Sequence, residues 1–364
     1  NGVIVITTKR GKEEAPTITF RTEQSIQQEG NLRLKFVNAD QWVELATEGY
    51  ENASRTVPWS SDDLNALKGT NNIWPDLVKR TGYMTNNNLS VSGGSQKSTY
   101  FIALNYMYNK GIIQNQDYSR LNLRLNSDHK IGKFITFGHS FNLFASQKVT
   151  QREQDGRDTY HASFRYTPLN RMYESNGDFA TINNTYLQGK TPSPLWMLAN
   201  SDVSNHYKGI SGNLYLSLDI IDGLKATVRQ SIEWQNGRGS DFMGAMDSKY
   251  GMEGANVNTI SKNSQDDLHY ITDFLLDFNR TFKEVHNINA LLGYSIEKST
   301  SETLSGKRGD TPSNYIRYLD AGDPNTSTNG NNYIEWAFLS TFARVGYSYK
   351  DKYYINGTIR RDGT

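Results

Sequence analysis

The segment from Ser146 to His206 contains four side chains that could bind a ligand: Tyr160, Arg165, Tyr166 and Trp196. Aromatic rings stack on sugar rings or on apolar side chains, and a guanidinium donates several hydrogen bonds in a fixed geometry. This mixture predicts non-covalent capture of a sugar or a peptide. The alternative is that the rings pack the segment onto itself, because a long ordered loop needs a small core of its own.

Residue patterns for bond-making or metal chemistry are missing from the sequence. The chain has no cysteine, and its histidines show neither the i, i+4 spacing of a helical zinc site nor a place on a predicted helix. It has no nucleophile elbow and no phosphate-binding loop. An oxygen-rich run that includes Asp320, Asp323 and Asn325 does not have EF-hand spacing, so we interpret it as a solvated loop. We therefore expect no enzyme activity, no metal and no cofactor.

Charge and hydropathy restrict the class of protein further. Lys and Arg number 39 against 38 Asp and Glu, which gives a formal net charge of +1. This balance argues against nucleic acid as a partner. The mean hydropathy is −0.68, and no stretch approaches the ~20 apolar residues of a membrane-spanning helix.

Alternation with period two predicts about eleven strands. Leu121, Leu123 and Leu125 interleave with Asn122, Arg124 and Asn126. The same pattern recurs along the chain, for example from Leu214 to Ile220, from Leu224 to Trp234, from Tyr270 to Phe278 and from Ile288 to Ile296. One face of each strand is thus apolar and the other polar. Seven charged residues are expected on the polar side, where they would face a wet lumen: Arg124, Arg229, Glu233, Asp273, Asp277, Arg344 and Arg360.

Short and long connections between the predicted strands alternate strictly. The short ones include Ile221 to Gly223 and Lys350 to Lys352, and the long ones include Gln28 to Asn87 and Ser146 to His206. An up-and-down barrel in an outer membrane has this arrangement, with tight periplasmic turns and long external loops. A soluble all-β protein with one wet face per sheet fits any single strand equally well, but it does not explain the alternation.

One helix is expected within the first long connection, over Asn38 to Gly49. Asn38 or Asp40 could serve as its N-cap, and Gly49 could end it.

Four stretches of the chain resemble the SusC/RagA-type TonB-dependent outer-membrane transporters. Asn1 to Gly11 is similar to the family's last plug strand, with its Gly-Val-Ile-x-Ile-Thr-Thr-Lys-x-Gly run. The other three follow in the family's order: Trp74 to Val78 with Asn87 to Gly94, then Tyr100 to Gly111 with Arg120 to Asn126, and finally Phe342 to Gly363.

The resemblance implies an all-β fold: a partial transmembrane antiparallel up-and-down β-barrel, about 11 of 22 strands, with long extracellular loops. Residues 1–12 would be the C-terminal end of the plug domain and residues 13–364 the N-terminal half of the barrel, so we expect an internal piece of a longer protein.

The resemblance also implies function and partners. It predicts active import of oligosaccharides or peptides across the bacterial outer membrane, energised by the TonB complex and assisted by a SusD-like surface lipoprotein. Outer-membrane lipid would surround the strands. The alternative is a soluble or surface-attached β-rich module that binds carbohydrate or peptide without transport.

Overall fold

Eleven strands form one antiparallel sheet in the computed structural model, which describes residues 9–30, 34–151, 158–189, 191–245 and 256–364. The strands lie side by side in chain order, so β1 and β11 are the two edges. They are β1 Thr17–Gln27, β2 Gly82–Gly94, β3 Ser98–Lys110, β4 Asp117–Ile131, β5 Ile135–Thr150, β6 Ser201–Ile221, β7 Leu224–Met243, β8 Thr259–Phe282, β9 His286–Gly309, β10 Thr328–Tyr349 and β11 Tyr353–Gly363. The predicted all-β, up-and-down antiparallel fold is confirmed.

The connections alternate as predicted. Tight turns of two or three residues follow the even-numbered strands from β2 to β10, and longer connections follow the odd-numbered strands from β1 to β9. Gly223 supplies a positive φ of 81° in one turn, and Lys350 and Asp351 have φ of 52° and 51° in another. Positive φ values at such positions let antiparallel strands reverse direction within a short turn.

Several strands are longer than the apolar alternation predicted. The prediction for β8 covered Tyr270 to Phe278 and that for β9 covered Ile288 to Ile296, whereas these strands run Thr259–Phe282 and His286–Gly309. Most of their extra residues lie toward the long connections, and these are mainly polar, so the apolar row that marks a strand is lost there. Backbone pairing continues without it, from Thr259 opposite Gly309 down to Phe282 opposite His286.

The sheet has one apolar and one polar face. Leu104, Leu123, Leu143, Ile210 and Trp234 stand opposite one another in a row across five strands. Leu104, Leu143 and Leu216 on this face are exposed. Because side chains alternate along each strand, the intervening residues form the polar face.

In the described part of the chain, six α-helices lie in two of the long connections: α1 Ala39–Asn52, α2 Ser61–Ala66, α3 Trp74–Leu77, α4 Thr159–Arg165, α5 Thr185–Gln188 and α6 Pro194–Asn200. Each helix that the structure describes is too short or too polar to traverse a membrane. The predicted helix is α1, which begins after the N-cap Asn38. It continues past Gly49, where the sequence suggested its end.

Candidate functional site

The two longest connections pack together into an outer loop assembly, made of the described residues of 28–81 and 151–200. The rings of Trp74 and Tyr166, one from each connection, meet edge to face with centroids 4.5 Å apart. The backbone N–H of Asn72 donates to the carbonyl oxygen of Pro168 over 3.0 Å. A small core of Ala39, Leu67, Leu169 and Leu187 also draws on both connections. The assembly thus has a hydrophobic core separate from the sheet.

The four predicted ligand contacts all belong to this assembly, with different exposures. Trp196 and Tyr166 are 4% and 6% exposed, and burial raises the pKa of Tyr166 to about 12. Tyr160 is half-buried, and the Arg165 side chain is exposed. Buried rings support the packing role for Trp196 and Tyr166. Ligand contact by all four residues stays a prediction.

A cleft of about 130 Å³ separates the two connections. Phe36, Trp42 and Trp74 line one side. Phe164, Arg165 and Tyr166 are among the residues on the other side. Pockets for drug-sized ligands are about 300–1,000 Å³, so this cleft has room for a single side chain or part of a sugar ring.

A charged cluster that the sequence did not predict joins the same two connections. Lys79 forms ion pairs with Glu29 and with Asp76, the latter over 2.8 Å. The Tyr160 hydroxyl donates to Oε1 of Glu29 over 2.6 Å. Hydrogen bonds from Lys79 and from Tyr160 lower the pKa of Glu29. Glu29 lies 50 residues from Lys79 and 131 residues from Tyr160, so no local pattern could reveal these contacts.

Strand register places all seven predicted charges on the polar face. Arg229 stands opposite Asp273, and Glu233 stands opposite His269. Arg124 shares its face with Asn126, which contacts the segment that precedes β1. The same alternation gives the remaining positions: Asp277 on β8, Arg344 on β10 and Arg360 on β11. Whether this face lines a lumen stays a prediction.

The chain segment before β1 is held against the polar face near the tight turns. Arg10 Nη1 donates to both carboxylate oxygens of Asp128, over 2.7 and 2.8 Å. The Tyr215 hydroxyl donates to the same carboxylate over 2.6 Å. Asn126 Nδ2 donates to the Lys9 carbonyl oxygen over 2.6 Å. A Cβ on Gly11 would lie 2.3 Å from the Tyr100 nitrogen, so glycine permits this close approach.

Gly138 lets Tyr215 reach Asp128. Tyr215 is on β6 and Asp128 is on β4, so the ring must cross the intervening strand β5. A Cβ on Gly138 would lie 2.5 Å from a ring carbon of Tyr215. A glycine inside a strand pattern is the one sequence signal that could have indicated this crossing.

The described residues include no group of three or more His, Asp or Glu side chains placed to hold a metal ion. The oxygen-rich run is divided between two elements. Asp320, Asp323 and Asn325 lie in or beside two short 3₁₀ helices, whereas Asn329 begins the polar end of β10.

Curated relatives match the whole chain. No family model matches it. TonB-dependent receptor P3 of Formosa agariphila is 27% identical over 372 residues, which cover 100% of this chain and 35% of the relative. TonB-dependent receptor P39 of the same organism is 26% identical, with 100% and 34% coverage. TonB-dependent receptor SusC of Bacteroides thetaiotaomicron is 29% identical over 128 residues, 35% of this chain and 12% of the relative. The chain spans about a third of the length of the relatives that it matches throughout.

Solved structures of the RagAB peptide transporter have the same fold. One covers 98% of this chain and 43% of its own, with a TM-score of 0.79 and 18% identity. A second, described as the closed-closed state of the importer, has a TM-score of 0.77. The comparisons confirm the resemblance to SusC/RagA-type TonB-dependent receptors.

Proposed function

We propose that this chain, as a segment of a SusC/RagA-type TonB-dependent receptor, forms part of the wall of an active importer in the bacterial outer membrane. Residues 1–12 would be the end of the plug and residues 13–364 the first half of the barrel. The designation of residues 1–8 as plug lies outside the described residues. Lys9 and Arg10, which the structure describes, contact the polar face as a plug end would.

The observation that carries this proposal is the two-faced sheet. Leu104, Leu143 and Leu216 on the apolar face are exposed to the surroundings of the chain. Transfer of one leucine side chain out of water contributes about 1.5–3 kcal/mol, so a whole belt of such residues requires an apolar environment. Lipid supplies it on one side, while the charges of the polar face line a wet lumen. A soluble binding module would have to bury this belt.

Import requires partners and a substrate. The TonB complex would supply the energy, and a SusD-like lipoprotein would cover the long connections. The transported ligand would be an oligosaccharide or a peptide, and the fold shared with a protein described as a peptide transporter supports the second choice. Tyr160, Arg165, Tyr166 and Trp196 would act at the entrance, with Arg165 and Tyr166 at the cleft.

Cysteine labelling on whole cells tests this orientation, because this chain has no cysteine of its own. Tyr315 is 92% exposed in the connection after β9, and Asp222 lies in the tight turn after β6. A cysteine at Tyr315 should react with a membrane-impermeant maleimide on intact cells, whereas a cysteine at Asp222 should react only after the outer membrane is permeabilised. Labelling of Asp222→Cys alone on intact cells would contradict the topology, and recovery of the receptor in the soluble fraction would favour the binding module.

A further inference from the structure

A row of four residues crosses the polar face on the side of the long connections. Glu233, His269, Ser299 and Trp336 stand opposite one another on β7, β8, β9 and β10. In the next row toward the tight turns, Glu297 stands opposite Phe338. The row on the other side contains Asp267. The Trp336 patch is the set Glu233, Asp267, His269, Glu297, Trp336 and Phe338.

The aromatic rings of the patch lie against one another and are accessible. The Trp336 and Phe338 rings lie 5.3 Å apart at 63°, and the His269 ring lies 5.6 Å from Trp336. Trp336 is 39% exposed. Nearer the tight turns, Phe342 on the same face lies over Gly293, where a Cβ would be 2.2 Å from its ring, and Arg360 covers it at 5.5 Å. The polar face thus already pairs a cation with an aromatic ring at one position.

The carboxylates of the patch exceed its cations. Glu297 Oε1 lies 2.8 Å from His269 Nε2, which is a cation only when protonated. Asp267 accepts hydrogen bonds from the neutral groups of Gln265 and Ser301. The Glu233 carboxylate has no hydrogen bond or ion pair with any described residue. Lys298, next to Glu297 in the chain, instead pairs over 2.8 Å with Glu335 on the opposite face.

We infer that the Trp336 patch binds a lysine or arginine side chain of a peptide. This inference rests on the proposed function, because the patch must face the path of an imported ligand. A cation over the indole face gains from the ring quadrupole, and the surrounding carboxylates hold it by charge-assisted hydrogen bonds. An acidic ligand would be repelled. A neutral sugar could stack on Trp336 but would not use the excess negative charge.

Titration calorimetry on the full-length receptor in detergent tests the patch. The probes are blocked trilysine, blocked triglutamate and maltotriose. Trilysine should bind more tightly than the other two. The double variant Glu233→Gln with Glu297→Gln should weaken its binding about tenfold, equivalent to about 1.4 kcal/mol, and Trp336→Ala should weaken it about fivefold.

Matched controls lie on the opposite face of the same strand. Glu335→Gln and Tyr333→Ala remove a carboxylate and a ring next to the patch in sequence, and each should leave trilysine affinity within twofold. Ser299→Lys places a cation in the row and should abolish binding without removing any aromatic ring. Heat-modifiable migration on gels shows that each variant is folded. Equal losses in patch and control variants, or equal binding of all three probes, would overturn the inference.

Uptake by cells separates this inference from the proposed function. If trilysine binds and the patch variants weaken its binding, but cells show no TonB-dependent uptake, the inference about the patch is supported and the proposal of import is refuted. If uptake depends on TonB but favours neutral or acidic ligands, and the patch variants do not change it, import is supported and the inference about the patch is refuted.

Discussion

At the scale of single residues, the Arg10, Asp128 and Tyr215 contacts connect the segment before β1 to two strands of the sheet. Asp128 is 27% exposed at its side chain, and it accepts from both partners. Removal of one hydrogen bond leaves the Asp128 carboxylate with one donor fewer. In a site without water, the loss of a hydrogen bond to a charged group typically costs about 1.5–3 kcal/mol of stability. Partial exposure reduces that cost, because water replaces the lost donor.

Tyr215→Phe should therefore weaken the attachment of residues 9–12 by about 1 kcal/mol. Hydrogen exchange of the 9–14 backbone should become faster by roughly fivefold. Tyr207→Phe is the matched control: it is on the same strand and face, and its hydroxyl bonds to no residue that the structure describes. Unchanged exchange in Tyr215→Phe would show that the tyrosine does not hold the segment.

At the scale of elements, β4 carries the two-faced pattern in consecutive residues. Leu123 stands opposite Leu104 and Leu143 on the apolar face, and the adjacent Arg124 is on the polar face. An arginine on the lipid side of a barrel strand costs about 2–4 kcal/mol near the midplane. The stability of the strand in lipid should therefore depend on which face carries the arginine more than on whether β4 contains it.

Exchange of the two side chains, Leu123→Arg with Arg124→Leu, keeps the composition and moves the charge to the other face. The double variant should be less stable in lipid vesicles than the single variant Arg124→Leu, with a free energy of unfolding about 2–4 kcal/mol smaller. Urea titration followed by gel mobility measures this difference. Equal stability of the two variants would place Leu123 away from lipid.

At the scale of the whole molecule, the outer loop assembly is held by contacts between segments distant in the chain. Glu29 and Tyr160 are 131 residues apart. The lowered pKa of Glu29 means that its ionised form favours the assembled state. The stabilisation is complete above the ordinary pKa of 4.5 and is lost as the pH falls through the lower pKa of the assembled state.

Acid should therefore loosen the assembly. Hydrogen exchange in residues 158–166 should accelerate as the pH falls below about 4.5 and through the lower pKa of Glu29 in the assembled state, and Glu29→Gln should show fast exchange already at pH 7. Glu44→Gln removes an exposed carboxylate of α1 and should keep the wild-type profile. If Glu29→Gln keeps the same acid-induced acceleration of exchange, a group other than Glu29 causes it.

The sequence by itself determined the number of strands, their order, the alternation of connections and the face of each charge. These follow from period-two alternation and turn residues, which act over a few positions. The start of α1 was likewise predicted to within two candidate N-caps, Asn38 and Asp40, because capping is local. Tertiary structure decided the rest: the polar strand extensions, the crossing of Tyr215 over Gly138, the Glu29 cluster and the row that ends in Trp336. Each depends on register between strands or on packing between distant segments, and a pattern read along one chain does not contain that information.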